Sequence, residues 1–304
     1  MSVAGLTFRN PIVLASGTAG FGRELEDVVD LTRIGGLSTK AVSVEPRKGN
    51  KPLRVGEFAG GMINAIGLAN PGLDAVKQEY LPWLPAQHPG LRVFVNVVGN
   101  SVDDFVTVIN GLTNERGVDA FELNVSCPNV KAGGMEFGAD PVALAALVKA
   151  ARAITSRPLF VKLSPALGPN IVAAAQTAVE AGATGLTLVN TMPGLVIETA
   201  HRTPRIGFGS GGVSGPALLP IGLLATWRVS RALPGVPIIG LGGVSTADDA
   251  LQYLLAGAQL VGVGTAMLRD PRAPERIARG LARWADREGV QHLSTIVGTL
   301  QWPS

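Results

Sequence analysis

Five apolar segments of this chain carry, at or near their C-terminal ends, residues that an apolar strand has no use for. They are Ser38-Thr39-Lys40-Ala41, Asn96, Asn124, Lys162 and Asn190-Thr191. Burying an amide without partners costs about 1–3 kcal/mol, and an unpaired ammonium costs more. Such a cluster therefore implies either a bound polar ligand or a dense internal hydrogen-bond network. Asparagine offers donors and an acceptor without charge, which suits a planar ring bearing imide N–H and C=O groups. Lysine adds a counter-charge for a carboxylate or for an anionic reduced cofactor. A heterocycle or a flavin fits this set.

Two later runs are rich in glycine: Gly240-Leu-Gly242-Gly243-Val-Ser and Gly262-Val-Gly264-Thr265-Ala. Backbone N–H groups approach an anion closely where no side chain intrudes, so these loops read as a phosphate cradle, with tight turns as the plain alternative. A G-x-G-x-x-G string at Gly207, Gly209 and Gly212 follows Arg202-Thr-Pro-Arg205 rather than a strand. It lacks the context of a dinucleotide fingerprint. Cys127 stands in Asn124-Val-Ser-Cys-Pro-Asn-Val-Lys-Ala-Gly-Gly134. There it is either a proton acceptor on a lid or a small buried hydrophobe. His88, His201 and His292 have no metal-ligand spacing, and surface or hydrogen-bonded positions are expected for them.

The elements that must position these residues are short aliphatic runs, most followed by Ala-rich amphipathic stretches, which is the pattern of β-loop-α units. Eight are legible: Pro11 to Ala15, Leu37 to Val42, Arg92 to Val98, Ala120 to Ser126, Leu159 to Leu163, Gly185 to Asn190, Val236 to Gly240 and Leu260 to Gly264. Continuous apolar strands suit a parallel sheet buried on both faces. Eight units predict an α/β TIM barrel, (β/α)8, as a single domain over 1–304, with insertions after strands 2, 4 and 6. In that architecture polar residues at C-terminal strand ends, and loops after strands seven and eight, mark the active site and its phosphate site.

Helices are expected over Val142 to Ile154, capped by Asp140-Pro141, over Ile171 to Ala181 and over Ala247 to Ala256, with Gly182 and Gly257 marking ends. The gaps from Glu45 to Gly90 and from Met192 to Val236 are too long for bare turns, and long loops usually carry function. Met1 to Arg9 reads as a hairpin closing the barrel floor.

Composition narrows the class. Charged residues are 16% against a typical ~25%, and hydrophobic residues are 46%, enough for one large core with apolar area left for a subunit interface. Lys and Arg exceed Asp and Glu by 26 to 23 without a basic run, which disfavours nucleic acid. The single cysteine, Cys127, excludes an intrachain disulfide and any Cys-ligated zinc or iron–sulfur centre held by this chain alone. A reducing compartment, the cytoplasm, is expected, with no membrane segment.

Asn64-Ala-Ile-Gly-Leu68 with Asn70-Pro-Gly72, Asn124-Val-Ser-Cys-Pro-Asn-Val-Lys131, Phe160-Val-Lys-Leu-Ser-Pro165, Val189-Asn-Thr191, Gly211-Gly-Val-Ser-Gly-Pro216 and the paired glycine loops together resemble the dihydroorotate dehydrogenase family over nearly the whole chain. Cysteine in place of a serine base, the Lys-x-Gly-Gly lid and the lack of an N-terminal membrane extension resemble the NAD-linked class 1B catalytic subunit.

The resemblance implies an FMN-containing barrel that oxidises dihydroorotate to orotate in pyrimidine biosynthesis. It implies FMN contacts at Ser16, Lys40, Ala41, Asn96, Asn124, Lys162, Val189, Gly215, Gly242, Gly243, Gly264 and Thr265. Substrate contacts are implied at Lys40, Asn64, Ala65, Ile66, Gly67, Leu68, Asn124, Asn190 and Thr191. Cys127 would take the C5 proton while a hydride leaves C6 for flavin N5, Lys162 would stabilise the charge of reduced flavin, and a lid around Gly133 and Gly134 would close. Class 1B relatives further imply a homodimer joined to a second subunit carrying FAD and an iron–sulfur cluster, as a heterotetramer.

Departures from the family pattern, at Leu68-Ala-Asn-Pro and in Val-Asn-Val around Asn96, touch no motif residue. Rivals are a fumarate-linked class 1A enzyme, a related dihydropyrimidine dehydrogenase and, on different chemistry, a lyase using Lys162 as a Schiff base. A yellow protein separates flavin chemistry from an imine that borohydride traps only with substrate.

Overall fold

The continuous apolar runs become strands buried on both faces. In a computed structural model describing residues 1–126, 128–129 and 135–303, eight of them pair in parallel and close on themselves. In chain order they are β1 (Ile12–Leu14), β2 (Gly36–Ser38), β3 (Arg92–Val97), β4 (Ala120–Asn124), β5 (Leu159–Leu163), β6 (Gly185–Leu188), β7 (Ile238–Leu241) and β8 (Leu260–Val263). Each pairs with its chain neighbours, and β8 pairs with β1. This is the (β/α)8 barrel that the spacing predicts.

Strand alternation divides the lumen into layers. At the floor, Val13, Phe94, Ala120, Phe160, Ile239 and Leu260 form one buried cluster with Val3 and Phe8. The Phe94 ring meets Phe160 edge-on at 5.2 Å and lies 6.1 Å from Phe8. Val3 belongs to the expected N-terminal hairpin, in which Ser2–Val3 pairs with Leu6–Thr7. Two residues further along the same strands the side chains turn polar, at Asn96, Glu122 and Lys162.

The expected helices form at Pro141–Ile154, Ile171–Glu180 and Ala247–Ala256. Asp140 caps the first by accepting from Val142 N at 2.9 Å, with Pro141 in the first turn. Gly257 ends the third in the left-handed conformation that glycine adopts without penalty. Further helices cover Val102–Leu112, Leu219–Ala232 and Ala273–Glu288. No helix among the described residues is long and apolar enough to cross a membrane.

Three expectations are corrected. The second strand ends at Ser38 rather than Val42, because the Lys40 N–H turns to Gly20 O at 2.7 Å and only an isolated Val42–Val97 bridge follows. The seventh is Ile238–Leu241 rather than Val236 to Gly240. His88 is half-buried and not hydrogen-bonded: both ring nitrogens are shielded from solvent without a partner, and the ring packs edge-on against Trp83 at 5.2 Å. Burial holds its pKa below the usual imidazole value.

The two long gaps are not independent loops. Met192–Gly194, Gly211–Ser214, Gly61–Asn64 and Val55–Phe58 pair in that order as one antiparallel sheet drawn from both insertions. Of the insertion after β4, Pro128–Asn129 pairs with Met135–Glu136. Cys127 and the lid glycines Gly133 and Gly134 lie outside the described residues.

Candidate active site

The C-terminal ends of the strands and the antiparallel sheet enclose a cavity of about 530 Å³. It collects Ser16, Lys40, Ala41, Asn96, Asn124, Lys162, Val189, Gly215, Gly242, Gly243, Gly264 and Thr265, together with Asn64, Ile66, Leu68, Asn190 and Thr191. Of the expected site residues that are described, only Ala65 and Gly67 do not line it. Both instead hold their segment in place. Ala65 N donates to Arg54 O, and Gly67, at φ +73, sits where a Cβ would lie 2.6 Å from Asn50 N.

The cavity floor is a hydrogen-bonded ring around a carboxylate that the sequence reading passed over. Glu122 on β4, 2% exposed, accepts from Ser38 Oγ and Asn96 Nδ2 at 2.7 Å each through Oε1, and from Thr187 Oγ1 at 2.8 Å through Oε2. Lys162 Nζ on β5 stands 3.8 Å from Oε1. One side chain thus links β2, β3, β4, β5 and β6. Asn96 is fully buried and its Oδ1 has no partner. A native structure rarely leaves a buried acceptor empty, so this atom marks a place where a ligand N–H is wanted.

One wall is made of amides. Asn190 Nδ2 donates to Asn124 Oδ1 at 3.2 Å and to Ser126 Oγ at 3.1 Å, while Asn190 Oδ1 accepts from Thr191 N at 2.9 Å. Asn64 Nδ2 donates to Gly212 O at 3.2 Å, which joins the two insertions beside the cavity. Asn70 fixes the segment that carries Leu68, since its Nδ2 donates to Leu68 O and its Oδ1 accepts from Gly72 N. Lys40 also lines the cavity, and none of the ion pairs among the described residues involves it. An ammonium without a carboxylate partner suits an anionic ligand.

The far end is built from the two glycine loops. Gly243 has φ +75, and a Cβ there would fall 2.6 Å from Leu219 N, so no side chain can occupy it without displacing the backbone. The buried Tyr253 hydroxyl donates to Gly242 O at 2.8 Å, tying this carbonyl to a core residue. Thr265 Oγ1 donates to Ser214 Oγ at 2.8 Å across the same end. Gly212, the last glycine of the G-x-G-x-x-G string, lies in the antiparallel sheet and not at a strand-to-helix phosphate turn. Besides Glu122, which lies beneath the cavity, the sequence gives no notice of Ser126, Ser214, Ser245 and Met62, which line it. A charged residue inside the run Ala120-Phe-Glu-Leu-Asn124 was a signal for Glu122, whereas isolated serines in loops give none.

A family model described as dihydroorotate dehydrogenase matches residues 1–284. A protein of Pelobacter propionicus described as the catalytic subunit of dihydroorotate dehydrogenase B (NAD(+)) is 44% identical over 301 residues, covering 99% of this chain and 98% of its own. The protein of the same description from Cutibacterium acnes is 45% identical over 296 residues, with coverages of 97% and 96%. A protein of Solibacter usitatus, described as a candidate dihydroorotate dehydrogenase A (fumarate), is 47% identical over 303 residues, with coverages of 99% and 98%. A crystal structure described as DHODH in complex with ferulenol from Eimeria tenella superposes with a TM-score of 0.82 at 24% identity. It covers 98% of this chain and 87% of that one, and it supports the barrel fold.

Proposed function

The chain belongs to the dihydroorotate dehydrogenase family, and from that premise we propose that it oxidises dihydroorotate to orotate in de novo pyrimidine synthesis, with FMN as the resident cofactor. The observation that carries this reading is the polar floor beneath the cavity: a buried acceptor without a partner, Asn96 Oδ1, beside the buried ammonium of Lys162. An isoalloxazine ring offers an N–H for the first and a developing negative charge for the second. The glycine cradle at Gly242, Gly243 and Gly264, with Gly215 and Thr265, suits a phosphate. Ser16, Lys40, Ala41, Asn124 and Val189 complete the set that would hold FMN.

FMN, when bound, supplies the two-electron acceptor. The chain's own groups do the rest. Lys40, with Asn64, Asn124, Asn190 and Thr191, would hold the carboxylate and ring of dihydroorotate. The network Asn190–Asn124–Ser126 fixes the directions of those amides before the substrate arrives, and such alignment can supply several kcal/mol of barrier reduction. Within Asn64 to Leu68, contact falls to Asn64, Ile66 and Leu68, while Ala65 and Gly67 shape the segment. Cys127, the next residue after the cavity-lining Ser126, would take the C5 proton. A lid around Gly133 and Gly134 would exclude water.

Electrons would leave to NAD through a second subunit bearing FAD and an iron–sulfur cluster. The descriptions of the P. propionicus and C. acnes relatives support this route, and that of the S. usitatus relative favours fumarate. A chain with one cysteine cannot ligate a cluster by itself. Exposed Leu53, Leu195, Ile197 and Phe208 on the insertions support association, as a homodimer that recruits the partner. We place this activity in the cytoplasm, the reducing compartment expected for a chain with a single cysteine.

Steady-state assays with NAD and with fumarate, with and without an FAD/iron–sulfur partner, test the route. NAD reduction is expected only with the partner present. Fumarate reduction at the full rate by this chain alone, with no NAD reduction when the partner is added, would establish the class 1A alternative. A strict monomer in light scattering with full NAD-reducing activity would refute the assembly.

A further inference from the structure

The most heavily bonded side chain beneath the cavity, Glu122, does not line it and has no part in the chemistry described so far. We propose that Glu122 is a positioning residue that fixes which end of the Asn96 amide faces the cofactor and how much of the Lys162 charge the cofactor feels, a role that rests on the FMN reading above.

The first half follows from donor and acceptor chemistry. An asparagine amide can present either its oxygen or its NH2 to a cavity, and the hydrogen-bond network decides which. An ionised carboxylate only accepts. With Glu122 Oε1 taking the Asn96 Nδ2 hydrogen at 2.7 Å, Oδ1 is left as the free end. The floor is thereby set to demand an N–H from whatever binds above it. Glu122 is held in turn by Ser38 and Thr187 from β2 and β6, so its own rotamer is fixed by the barrel.

The second half follows from distance. Lys162 Nζ lies 3.8 Å from Glu122 Oε1, close enough for its charge to be opposed and too far for a hydrogen bond. Three neutral donors satisfy the carboxylate, which leaves the ammonium N–H groups for the ligand. The two residues are 2% and 5% exposed, so solvent screens the pair little. Glu122 therefore lowers the positive field that Lys162 projects into the cavity without occupying its donors. Its removal by an isosteric neutral group should make the site favour a reduced, anionic ring more strongly.

The test is Glu122→Gln, read as the FMN midpoint potential of the full chain and as the affinity of the FMN-free protein for FMN. The expected result is a positive shift of at least about 30 mV, a tenfold gain in preference for reduced over oxidised cofactor in a two-electron couple. Ser38→Ala, which removes a hydrogen bond and keeps the charge, should shift the potential by less than that. An unchanged or more negative potential in Glu122→Gln, with FMN affinity as in the parent, would overturn the proposal. Should Glu122→Gln fail to fold or hold FMN, Glu122→Asp withdraws the charge by one methylene. A smaller positive shift then supports the proposal, and an unmoved potential overturns it. A parent chain that takes up no FMN would refute the FMN reading and this role together. A parent that is yellow and reduced by dihydroorotate, beside an unmoved Glu122→Gln, would remove only the role of Glu122.

Discussion

Cys127→Ala is expected to keep FMN bound and to slow its reduction by dihydroorotate by about 10²–10⁴-fold, the range that general base catalysis supplies. At 1.36 kcal/mol per decade this is a barrier increase of about 2.7–5.4 kcal/mol. The expectation rests on what leads up to the residue. β4 delivers Asn124 to the cavity wall in register with Lys162, Ser126 lines the same cavity and accepts from Asn190, and the chain passes next to Cys127. The thiolate is the basic form that accepts the proton. Anaerobic single-turnover stopped-flow reduction by dihydroorotate measures the loss. An unchanged single-turnover rate in Cys127→Ala would remove the base assignment.

Lys162→Ala should weaken FMN retention and move its midpoint potential negative, because the charge set against the reduced ring is lost. The structure adds a second consequence. Glu122 would be left as a buried carboxylate with three neutral donors and no counter-charge. Breaking a buried ion pair from one side costs about 3–5 kcal/mol of stability. The two effects separate in a double variant. Adding Glu122→Gln to Lys162→Ala should recover much of the lost stability, since no charge is then stranded, while the potential stays below that of the parent. Chemical denaturation and redox titration of the two variants distinguish these outcomes. A normal potential with full FMN occupancy in Lys162→Ala would contradict the assigned role.

The barrel was legible because its strands are continuous aliphatic runs whose ends change abruptly to Asn, Lys or Gly. That contrast singled out Asn96, Asn124, Lys162 and the Gly242–Gly243 loop, all of which line the cavity, without any knowledge of pairing. Local signals of one turn's length were equally readable, such as Asp140-Pro141 at a helix start and Gly257 at a helix end. What escaped depended on tertiary contacts, most of them between residues distant in the chain. Gly61–Asn64 and Gly211–Ser214 are short, and the second is rich in glycine, so neither shows a strand period; they become strands by pairing with each other across some 150 residues of sequence, Asn64 against Gly212. His88 was expected to be solvated or hydrogen-bonded, and the packing of Trp83 against it, five residues away, left its nitrogens buried instead. Glu122 was visible as a charge inside an apolar strand, but its meaning required the register that sets it between Ser38, Asn96, Lys162 and Thr187.

The most direct measurement is the visible spectrum of the purified chain before and after anaerobic addition of dihydroorotate. A yellow protein whose flavin absorption bleaches on addition is the predicted result. A colourless protein that stays inert to dihydroorotate after reconstitution with FMN would contradict the account.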